Sequence, residues 1–343
     1  MTGKAALREA LEGLEFSGAC RFDEPMAAHT TFKVGGPAEL WIQPDAACFL
    51  SFTPSLLRRA KALGIPVFIL GGGANIVAAD RGIAGIVLDT GKWAGMLPGR
   101  GTEAAGTVGP GRELPGGPEA AGPGTVELGA MAAGRGLAAF RSGTPADQAA
   151  CLTASLGLGG LEFLAGMPGS IGGSVWMNAR CYEKSVSAVL EETEILDEDR
   201  EVRRVPFRAA DFGYKKSPFQ NRDVLILSAL FHLESRPEAE LRAVMDAHRE
   251  DREAKGHYRF PSAGSAFKNN RAFGKPTGKI IDELGLRGLS RGGASIAPWH
   301  GNLLINTGCA TAADIRALTD EVREKTFAAL GINLECEILF VGF

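Results

Sequence analysis

The stretch Val67-Phe-Ile-Leu-Gly-Gly-Gly-Ala-Asn75 sets a short apolar run directly before three glycines. Four apolar residues that end at glycines are typical of a buried strand followed by a turn. Glycines permit positive φ and expose successive backbone N–H groups, which suit a phosphate or pyrophosphate. The stretch has neither the GxGxxG spacing nor the Lys-Ser/Thr of a P-loop, so a plain tight turn is the alternative.

The residues on either side of this stretch predict a strand–helix–strand unit. Strands are predicted at Ala38–Gln43, where apolar and polar residues alternate, and at Gly85–Leu88. Before Val67, the pattern predicts a helix around Ser55–Leu63 that ends at Gly64. Strands that alternate with helices indicate mixed α/β architecture.

Further along the chain, strands are predicted at Val189–Leu196 and Val224–Phe231. The polar segment Glu238–Lys255 predicts a helix, with Pro237 at its start. Because this helix has few apolar residues, we expect it to be a connector on the surface. We place a domain boundary at Ser235–Glu238.

The composition is that of an ordinary soluble globular protein. The chain has 343 residues, 45% of them hydrophobic and 22% charged, which indicates two or three domains and excludes a coiled coil or a collagen-like fibre. A net charge of −3 argues against wholesale binding to nucleic acid or to acidic membranes. It leaves room for a local basic pocket that binds a phosphorylated ligand.

The start of the chain and its cysteines indicate the compartment. The first 16 residues predict an amphipathic helix rather than a signal peptide, and no apolar run is long enough to span a membrane. The six cysteines form no CxxC pair and the five histidines form no HExxH, so we expect free thiols and no metal site. The expected location is the reducing cytoplasm.

A glycine- and proline-rich stretch, Pro98–Gly124, has little to bury. We interpret it as a flexible insertion loop, with a lid over a site as the alternative.

A second glycine cluster, Gly166-Met-Pro-Gly-Ser-Ile-Gly-Gly173, follows the apolar stretch Leu161–Leu164. Four glycines and a proline within eight residues are expected to prevent a regular helix. A bend of this kind brings the backbone close to a flat ligand, although an ordinary loop is the alternative. Two such clusters in one α/β chain favour a large nucleotide cofactor.

Two later segments carry the candidate reactive groups. Ser265 lies within Pro261–Asn269, where no neighbouring histidine could act as its base, so a proton donor or a polar pocket fits better than a nucleophile. The alternative is a serine that caps a following turn. Leu334–Val341 predicts a C-terminal strand with one apolar face. Glu335 and Glu337 share the other face, where they are either exposed or face a polar site as a proton source.

Taken in order, these segments resemble the UDP-N-acetylenolpyruvoylglucosamine reductases, the flavoenzymes of peptidoglycan precursor synthesis. The resemblance begins at His29 and runs to the C-terminus. Ser217 and Ser262 are 45 positions apart, a separation that resembles the shorter of the family's two forms, which lacks a substrate-closing loop. The most specific motifs are Gly71–Asn75 with Asp80–Gly82, Gly159–Gly169 continuing to Asn178, Gly213–Ser217, Ala263–Asn269, and Leu334–Glu337.

The resemblance implies an α+β and α/β fold, the FAD-binding fold of the vanillyl-alcohol-oxidase (PCMH) type. It implies two FAD-binding subdomains, at residues 1–90 and 91–234, and an α+β substrate domain at residues 235–333. The C-terminal strand, in residues 334–343, would return to the first subdomain.

The resemblance also implies the reaction and its partners. NADPH would reduce FAD, and hydride would pass to the double bond of UDP-N-acetylglucosamine enolpyruvate, forming UDP-N-acetylmuramate. A monomeric cytoplasmic enzyme is implied, with a role in cell wall biogenesis, cell shape, the cell cycle and cell division.

The family's functional residues map onto this chain as follows. Ser265 matches the proton donor, Glu337 the catalytic carboxylate, and Lys215 the position of a usual arginine. The residues implied to bind substrate are Tyr214, Lys268 and Asn269. Those implied to cradle the FAD pyrophosphate are Gly71, Gly72, Gly73, Ala74 and Asn75. Those implied to lie near the isoalloxazine ring are Gly166, Pro168, Gly169, Ser170, Gly172 and Gly173.

The chain departs from the family pattern in a few places. Lys215 keeps the positive charge of the usual arginine but lacks its bidentate fork, and Lys216 is an alternative donor. Arg180 stands where a small residue is typical, and Asn270 replaces a usual proline. These departures leave two alternatives, another FAD oxidoreductase of the same fold and a non-catalytic flavin- or nucleotide-binding relative.

Overall fold

The computed structural model describes residues 3–97 and 136–343, so the predicted insertion Pro98–Gly124 lies outside the described residues. The strands are β1 Gly18–Pro25, β2 Pro37–Pro44, β3 Val67–Leu70, β4 Ile76–Ala78, β5 Ile83–Asp89, β6 Met96–Leu97, β7 Leu137–Arg141, β8 Leu158–Gly159, β9 Arg180–Cys181, β10 Lys184–Ser185, β11 Leu190–Leu196, β12 Val202–Pro206, β13 Leu225–His232, β14 Glu234–Ser235, β15 Ser290–Arg291, β16 Ala294–Ile296, β17 Leu304–Asn306 and β18 Leu339–Val341. The α-helices are α1 Lys4–Leu11, α2 Phe49–Ala62, α3 Ala146–Ser155, α4 Ile171–Trp176, α5 Glu238–Ala254, α6 Thr277–Glu283 and α7 Ala312–Leu330. Short 3₁₀ turns lie at Met26–Ala28, Glu162–Leu164, Val186–Ala188, Ala209–Asp211 and Arg271–Phe273.

The first sheet has the strand order β1-β2-β5-β3, with β2, β5 and β3 parallel and β1 antiparallel at the edge. This arrangement confirms the predicted strand–helix–strand unit. Helix α2 begins at Phe49 rather than near Ser55, because Phe49 and Phe52 extend its buried face by two turns. Together with α1, it covers the sheet over a core that includes Leu40, Ile42 and Leu88.

The second sheet is antiparallel, in the order β12-β11-β13-β7-β6. Strands β11 and β13 confirm the two predicted there. Helices α3, α4 and α5 contribute to its core, around Phe140, Phe163 and Phe231. The prediction that α5 is only a surface connector is wrong: Leu241 and Met245, one helical turn apart, are buried in this core.

The first and second sheets, each with its helices, form the first and second layers of the molecule. The third layer combines the small sheet β15-β16-β17 with α6 and α7. Helix α7 begins with a capping box between Thr311 and Asp314 and ends at Gly331 in the left-handed conformation. The core of this layer also takes in Phe32 and Val77 from the first part of the chain. The third layer therefore packs directly against the first.

The C-terminal segment joins the same two parts of the molecule. Strand β18 pairs in parallel with β4, and the Asp80 carboxylate accepts hydrogen bonds from the N–H groups of Ala312 and Ala313 at the start of α7. The predicted strand Leu334–Val341 is shorter than expected, because its first half pairs only through an isolated bridge between Cys336 and Phe267. Its predicted apolar face is present. Within the described ranges, no helix is both long and apolar enough to cross a membrane.

Candidate active site

The two glycine clusters of the sequence meet in the structure. A Cβ atom on Gly72 would lie 2.5 Å from the Cα atom of Gly169, and one on Gly71 would lie 2.6 Å from Ser170 Oγ. Both distances are too short for a side chain. The turn after β3 and the loop before α4 therefore approach each other backbone to backbone, which only glycine permits.

The turn after β3 offers a row of free donors. The N–H groups of Gly72, Gly73, Ala74 and Asn75 donate to no acceptor in the part of the chain that the structure describes. The turn is held from behind, since the Gly73 carbonyl accepts a hydrogen bond from Thr31 N at 3.0 Å. Successive N–H groups of this kind form an anion-binding nest, so these residues fit a pyrophosphate group.

The second cluster is partly helical, which corrects the prediction made from its glycines. Ser170 caps α4 by accepting a hydrogen bond from Gly173 N at 3.3 Å, so Gly172 and Gly173 lie in the first turn of a helix. Glycine is required at Gly172 by packing rather than by φ, because a Cβ there would lie 2.7 Å from Ser142 Cβ.

Gly166, at the other end of this cluster, has different surroundings. Its carbonyl accepts a hydrogen bond from Tyr258 Oη at 2.6 Å, and its N–H donates to Asp147. Pro168 lies between the two ends, before Gly169. The structure thus brings Gly169 and Ser170 to the glycine turn after β3, whereas Gly166 contacts the Tyr258 side chain.

A cleft of about 860 Å³ lies in the third layer, facing β9 and β10. Every residue that the sequence analysis assigned to catalysis or substrate binding lines it, although they come from three separate parts of the chain: Tyr214, Lys215, Ser265, Lys268, Asn269 and Glu337. A cavity of this size accommodates a large polar ligand.

Backbone pairing holds Ser265 and Glu337 next to each other. Glu337 N donates to the carbonyl of Ala266, the residue after Ser265, at 2.8 Å. The loop that carries Ser265 is fixed by the buried Asn302, whose side chain accepts from Phe267 N at 2.9 Å and donates to Phe267 O at 2.8 Å. Two segments about 70 residues apart thus present a hydroxyl and a carboxylate to one cavity.

Lys215 and Glu337 form an ion pair inside the cleft. Lys215 Nζ lies 2.5 Å from Glu337 Oε1, and each side chain is only 11% exposed. Lys215 has φ of 57°, in the left-handed region, within a turn closed by two 3.1 Å backbone hydrogen bonds between Gly213 and Lys216. The turn therefore directs the ammonium group at Glu337, and the charge of the usual arginine is retained.

The structure distinguishes the two C-terminal carboxylates. Glu335 is 70% exposed and forms an ion pair with Lys268 at the rim of the cleft. Glu337 is largely buried and faces Lys215. The sequence alone left both residues open as candidates, and burial now favours Glu337.

The lining of the cleft is rich in positive charge. Its six cations outnumber its three carboxylates, and neither Lys216 nor Arg271 has an acidic partner among the described residues. The sequence analysis missed Arg271 and Lys275, although three cations within Lys268–Lys275 were a usable signal. This surplus suits an anionic ligand such as a diphosphate.

One wall of the cleft is formed by the hairpin β9–β10. Arg180, one of the residues that depart from the family pattern, lies here in an ion pair with Glu183. Tyr182 stacks on His248 with ring centroids 3.7 Å apart, and its hydroxyl donates to Asp251. Burial and this hydrogen bond raise the pKa of Tyr182 well above its usual value, so it stays protonated. No local pattern in the sequence predicted that Tyr182 would form part of this wall.

Comparison with known proteins assigns the chain to a family. Residues 256–341 match the sequence model for UDP-N-acetylenolpyruvoylglucosamine reductase, C-terminal domain. A UDP-N-acetylenolpyruvoylglucosamine reductase of Treponema pallidum (strain Nichols) is 36% identical over 94% of this chain and 93% of its own length. The chain belongs to the UDP-N-acetylenolpyruvoylglucosamine reductase family.

A second reductase sequence and a solved reductase structure are also similar to this chain. The reductase of Treponema denticola is 34% identical, over 95% of this chain and 94% of its own. The crystal structure of UDP-N-acetylenolpyruvylglucosamine reductase (MurB) from Thermus caldophilus superposes with a TM-score of 0.69 at 26% identity, covering 95% of this chain and 100% of that one. These findings confirm the predicted family and the predicted FAD-binding fold of mixed α and β content.

Proposed function

We propose that this protein reduces UDP-N-acetylglucosamine enolpyruvate to UDP-N-acetylmuramate, with NADPH as electron donor and FAD as cofactor. The observation that carries the proposal is the convergence of Ser265, Lys215 and Glu337 in one cation-rich cleft. Membership of the reductase family supports it.

The proposed chemistry explains why these residue types are needed. FAD, when bound, supplies the hydride that it has received from NADPH. Once hydride adds to the terminal methylene carbon of the substrate, the adjacent carbon holds an electron pair beside the carboxylate. We infer that the Lys215 ammonium stabilises this negative charge and that the Ser265 hydroxyl donates the proton that completes the reduction. Solvent then restores the serine proton.

Glu337 has two proposed tasks. Its carboxylate holds the Lys215 ammonium at 2.5 Å, which fixes the cation on the side of the cleft that carries Ser265. After Ser265 has donated its proton, the negative charge of Glu337 would destabilise the serine alkoxide and so favour its reprotonation. The remaining cations suit the two phosphates of the sugar nucleotide, with Lys268, Asn269 and Tyr214 as further substrate contacts.

The glycine turns are suited to the cofactor. Four N–H groups from Gly72 to Asn75, which donate to no acceptor among the described residues, would hold its pyrophosphate. The close contact between Gly72 and Gly169 leaves no side chain in the way. We propose that the Gly169–Gly173 segment borders the isoalloxazine ring, as the family resemblance implies.

We propose a monomeric cytoplasmic enzyme of peptidoglycan precursor synthesis, with a consequent role in cell shape and division. We also propose FAD-binding subdomains at residues 1–90 and 91–234 and a substrate domain at residues 235–333. The pairing of β18 with β4 supports the return of residues 334–343 to the first subdomain.

An anaerobic spectroscopic experiment tests the proposed function. Purified protein is reduced with one equivalent of NADPH, and the sugar nucleotide substrate is then added. We expect loss of the visible absorption band of oxidised flavin on reduction and its return on addition of substrate. Protein that takes up no flavin, or reduced protein that the substrate does not reoxidise, would contradict the proposal. Reoxidation by a different enol or hydroxy compound alone would favour another oxidoreductase of the same fold.

A further inference from the structure

Asn75 is the last residue of the glycine turn and the residue before β4. Its side-chain Nδ2 donates to the backbone carbonyl of Glu337 at 2.9 Å, and its own carbonyl accepts from Leu339 N at 3.0 Å. These two bonds bracket Ile338, so Asn75 fixes the backbone on the C-terminal side of Glu337.

The N-terminal side of Glu337 is fixed by a different partner. Glu337 N donates to Ala266 O at 2.8 Å, so the loop that carries Ser265 holds one end of the residue while Asn75 holds the other. A backbone held at both ends leaves the glutamate side chain little freedom except its own rotamers. The observed result is the short contact with Lys215.

The backbone N–H group and the side chain of Asn75 have different surroundings. Its N–H group belongs to the row of free donors in the glycine turn, whereas its side chain is committed to Glu337. The family resemblance had implied a single role for Asn75, in the cradle for the pyrophosphate. The structure instead connects that cradle to the catalytic carboxylate through one residue.

We propose that Asn75 is a positioning residue for the reduction of substrate: its side chain aligns Glu337, and through it Lys215, with the bound enolpyruvyl group. This inference rests on the proposed function of the cleft. It predicts that the side chain of Asn75 matters for the half-reaction that consumes substrate and is dispensable for reduction of the flavin by NADPH.

The test uses Asn75→Asp and Asn75→Ser in the flavin-loaded protein. Aspartate has the shape of asparagine but presents an oxygen to the Glu337 carbonyl, which removes the hydrogen bond without opening a cavity. Serine keeps a donor in a smaller side chain and covers the case in which the aspartate variant does not fold. Asn306→Asp is the matched control, because Asn306 Nδ2 donates to Phe32 O at 3.1 Å outside the cleft lining.

Stopped-flow absorbance measures the two half-reactions separately under anaerobic conditions, and FAD affinity is measured by fluorescence titration of the apoprotein. We expect Asn75→Asp to slow reoxidation by the sugar nucleotide by about 10- to 100-fold, the size of effect typical of a misplaced catalytic group. Reduction by NADPH is measured at saturating FAD and is expected to change less than about threefold. Because Asn75→Asp adds a carboxylate at the end of the pyrophosphate cradle, that variant is also expected to bind FAD more weakly. The control is expected to change neither half-reaction.

Three results would overturn the inference. Equal losses in both half-reactions would indicate general damage, and weakened FAD binding with normal half-reactions at saturating FAD would make the side chain a cofactor contact. Unchanged reoxidation in both Asn75 variants would show that Glu337 needs no such support. If the unaltered protein is itself not reoxidised by the sugar nucleotide, the proposed function fails as well, and that result is distinct from the other three.

Discussion

The two halves of the candidate site are built in opposite ways. Where Gly71–Gly73 meets Gly169–Gly173, the surface consists of backbone, and its geometry depends on the absence of side chains. Around Ser265 and Glu337, the surface consists of charged and polar side chains supplied by separate segments. The first half depends on steric fit, and the second depends on charge. We therefore expect the cleft to tolerate lysine at the position of the arginine that the family resemblance implies, whereas the glycine contact leaves no space for even a methyl group.

The largest expected effect comes from adding one methyl group to the glycine turn after β3, where it packs against His29. In Gly73→Ala, the new Cβ would lie 2.0 Å from the His29 carbonyl oxygen. We expect the free energy of unfolding to fall by more than about 3 kcal/mol, because backbone must move to relieve the clash. Urea denaturation measures the change.

Gly64→Ala is the matched control for this prediction. Gly64 has φ of +65°, close to the +60° of Gly73, but open space surrounds its missing Cβ. The control should lose only about 1 kcal/mol, the cost of placing alanine in the left-handed region. Equal losses in the two variants would mean that φ alone, and not the close contact, requires glycine at Gly73.

The second prediction moves to the cleft, where we expect large changes in rate with little change in stability. Ser265→Ala should slow reoxidation of the reduced flavin by substrate by about 10²- to 10⁴-fold, the usual contribution of a general acid. FAD binding and reduction by NADPH should stay within about twofold of the unaltered protein. Ser262→Ala, in the same loop, is the control, and a similar loss there would point to the loop rather than to the hydroxyl.

A third prediction tests whether charge, rather than shape, governs the cleft. Lys215→Met removes the partner of a carboxylate that is only 11% exposed, and we expect reoxidation to slow by about 10- to 100-fold. Lys215→Arg retains the charge and should stay within about fivefold. If methionine were tolerated as well as arginine, the charge at this position would have no catalytic role.

The smallest expected effect is on how the free energy of unfolding depends on pH. The glycine contact, which has no titratable side chain, should not contribute to this dependence. His257 lies after α5, its ring 5.8 Å from that of His300. Burial, with Arg252, His300 and Lys255 nearby and only Asp251 opposing them, lowers the pKa of His257 from 6.5 to about 4.

Because the unfolded chain binds this proton below about pH 6.5 and the folded protein only below about 4, stability should fall as pH drops through that window. We expect His257→Phe to remove about 1–2 kcal/mol of that dependence, since the ring is partly exposed to solvent. Denaturation at pH 7 and pH 4.5 measures it, and an identical pH dependence in the variant would contradict the assignment.

The sequence predicted what local patterning controls. Alternation and short apolar runs located β2, β3 and β5 of the first sheet and β11 and β13 of the second, but not β1, β6, β7 or β12. Glycine composition located the two turns. The sequence could not predict that these turns touch, because the contact between Gly72 and Gly169 joins positions 97 residues apart. The same limit applies to the ion pair of Lys215 with Glu337, which depends on how the third layer packs on the first.

The failures of the sequence analysis have specific physical causes. Gly172 and Gly173 were expected to prevent a helix, yet the Ser170 cap and contact with Ser142 outweigh their low helix propensity. Helix α5 looked polar enough to be a connector, but two apolar residues one turn apart suffice to bury one face. In each case tertiary contacts outweighed local preference.

The most direct test of the account is a visible difference spectrum of the oxidised, FAD-loaded protein titrated with the sugar nucleotide. If the glycine contact and the cleft form one site, the substrate must lie against the isoalloxazine ring. We predict a saturable perturbation of the flavin absorption bands, with the same dissociation constant that calorimetry gives for substrate binding. Tight binding by calorimetry with an unchanged flavin spectrum would show that the two halves do not form one site, and it would contradict the account.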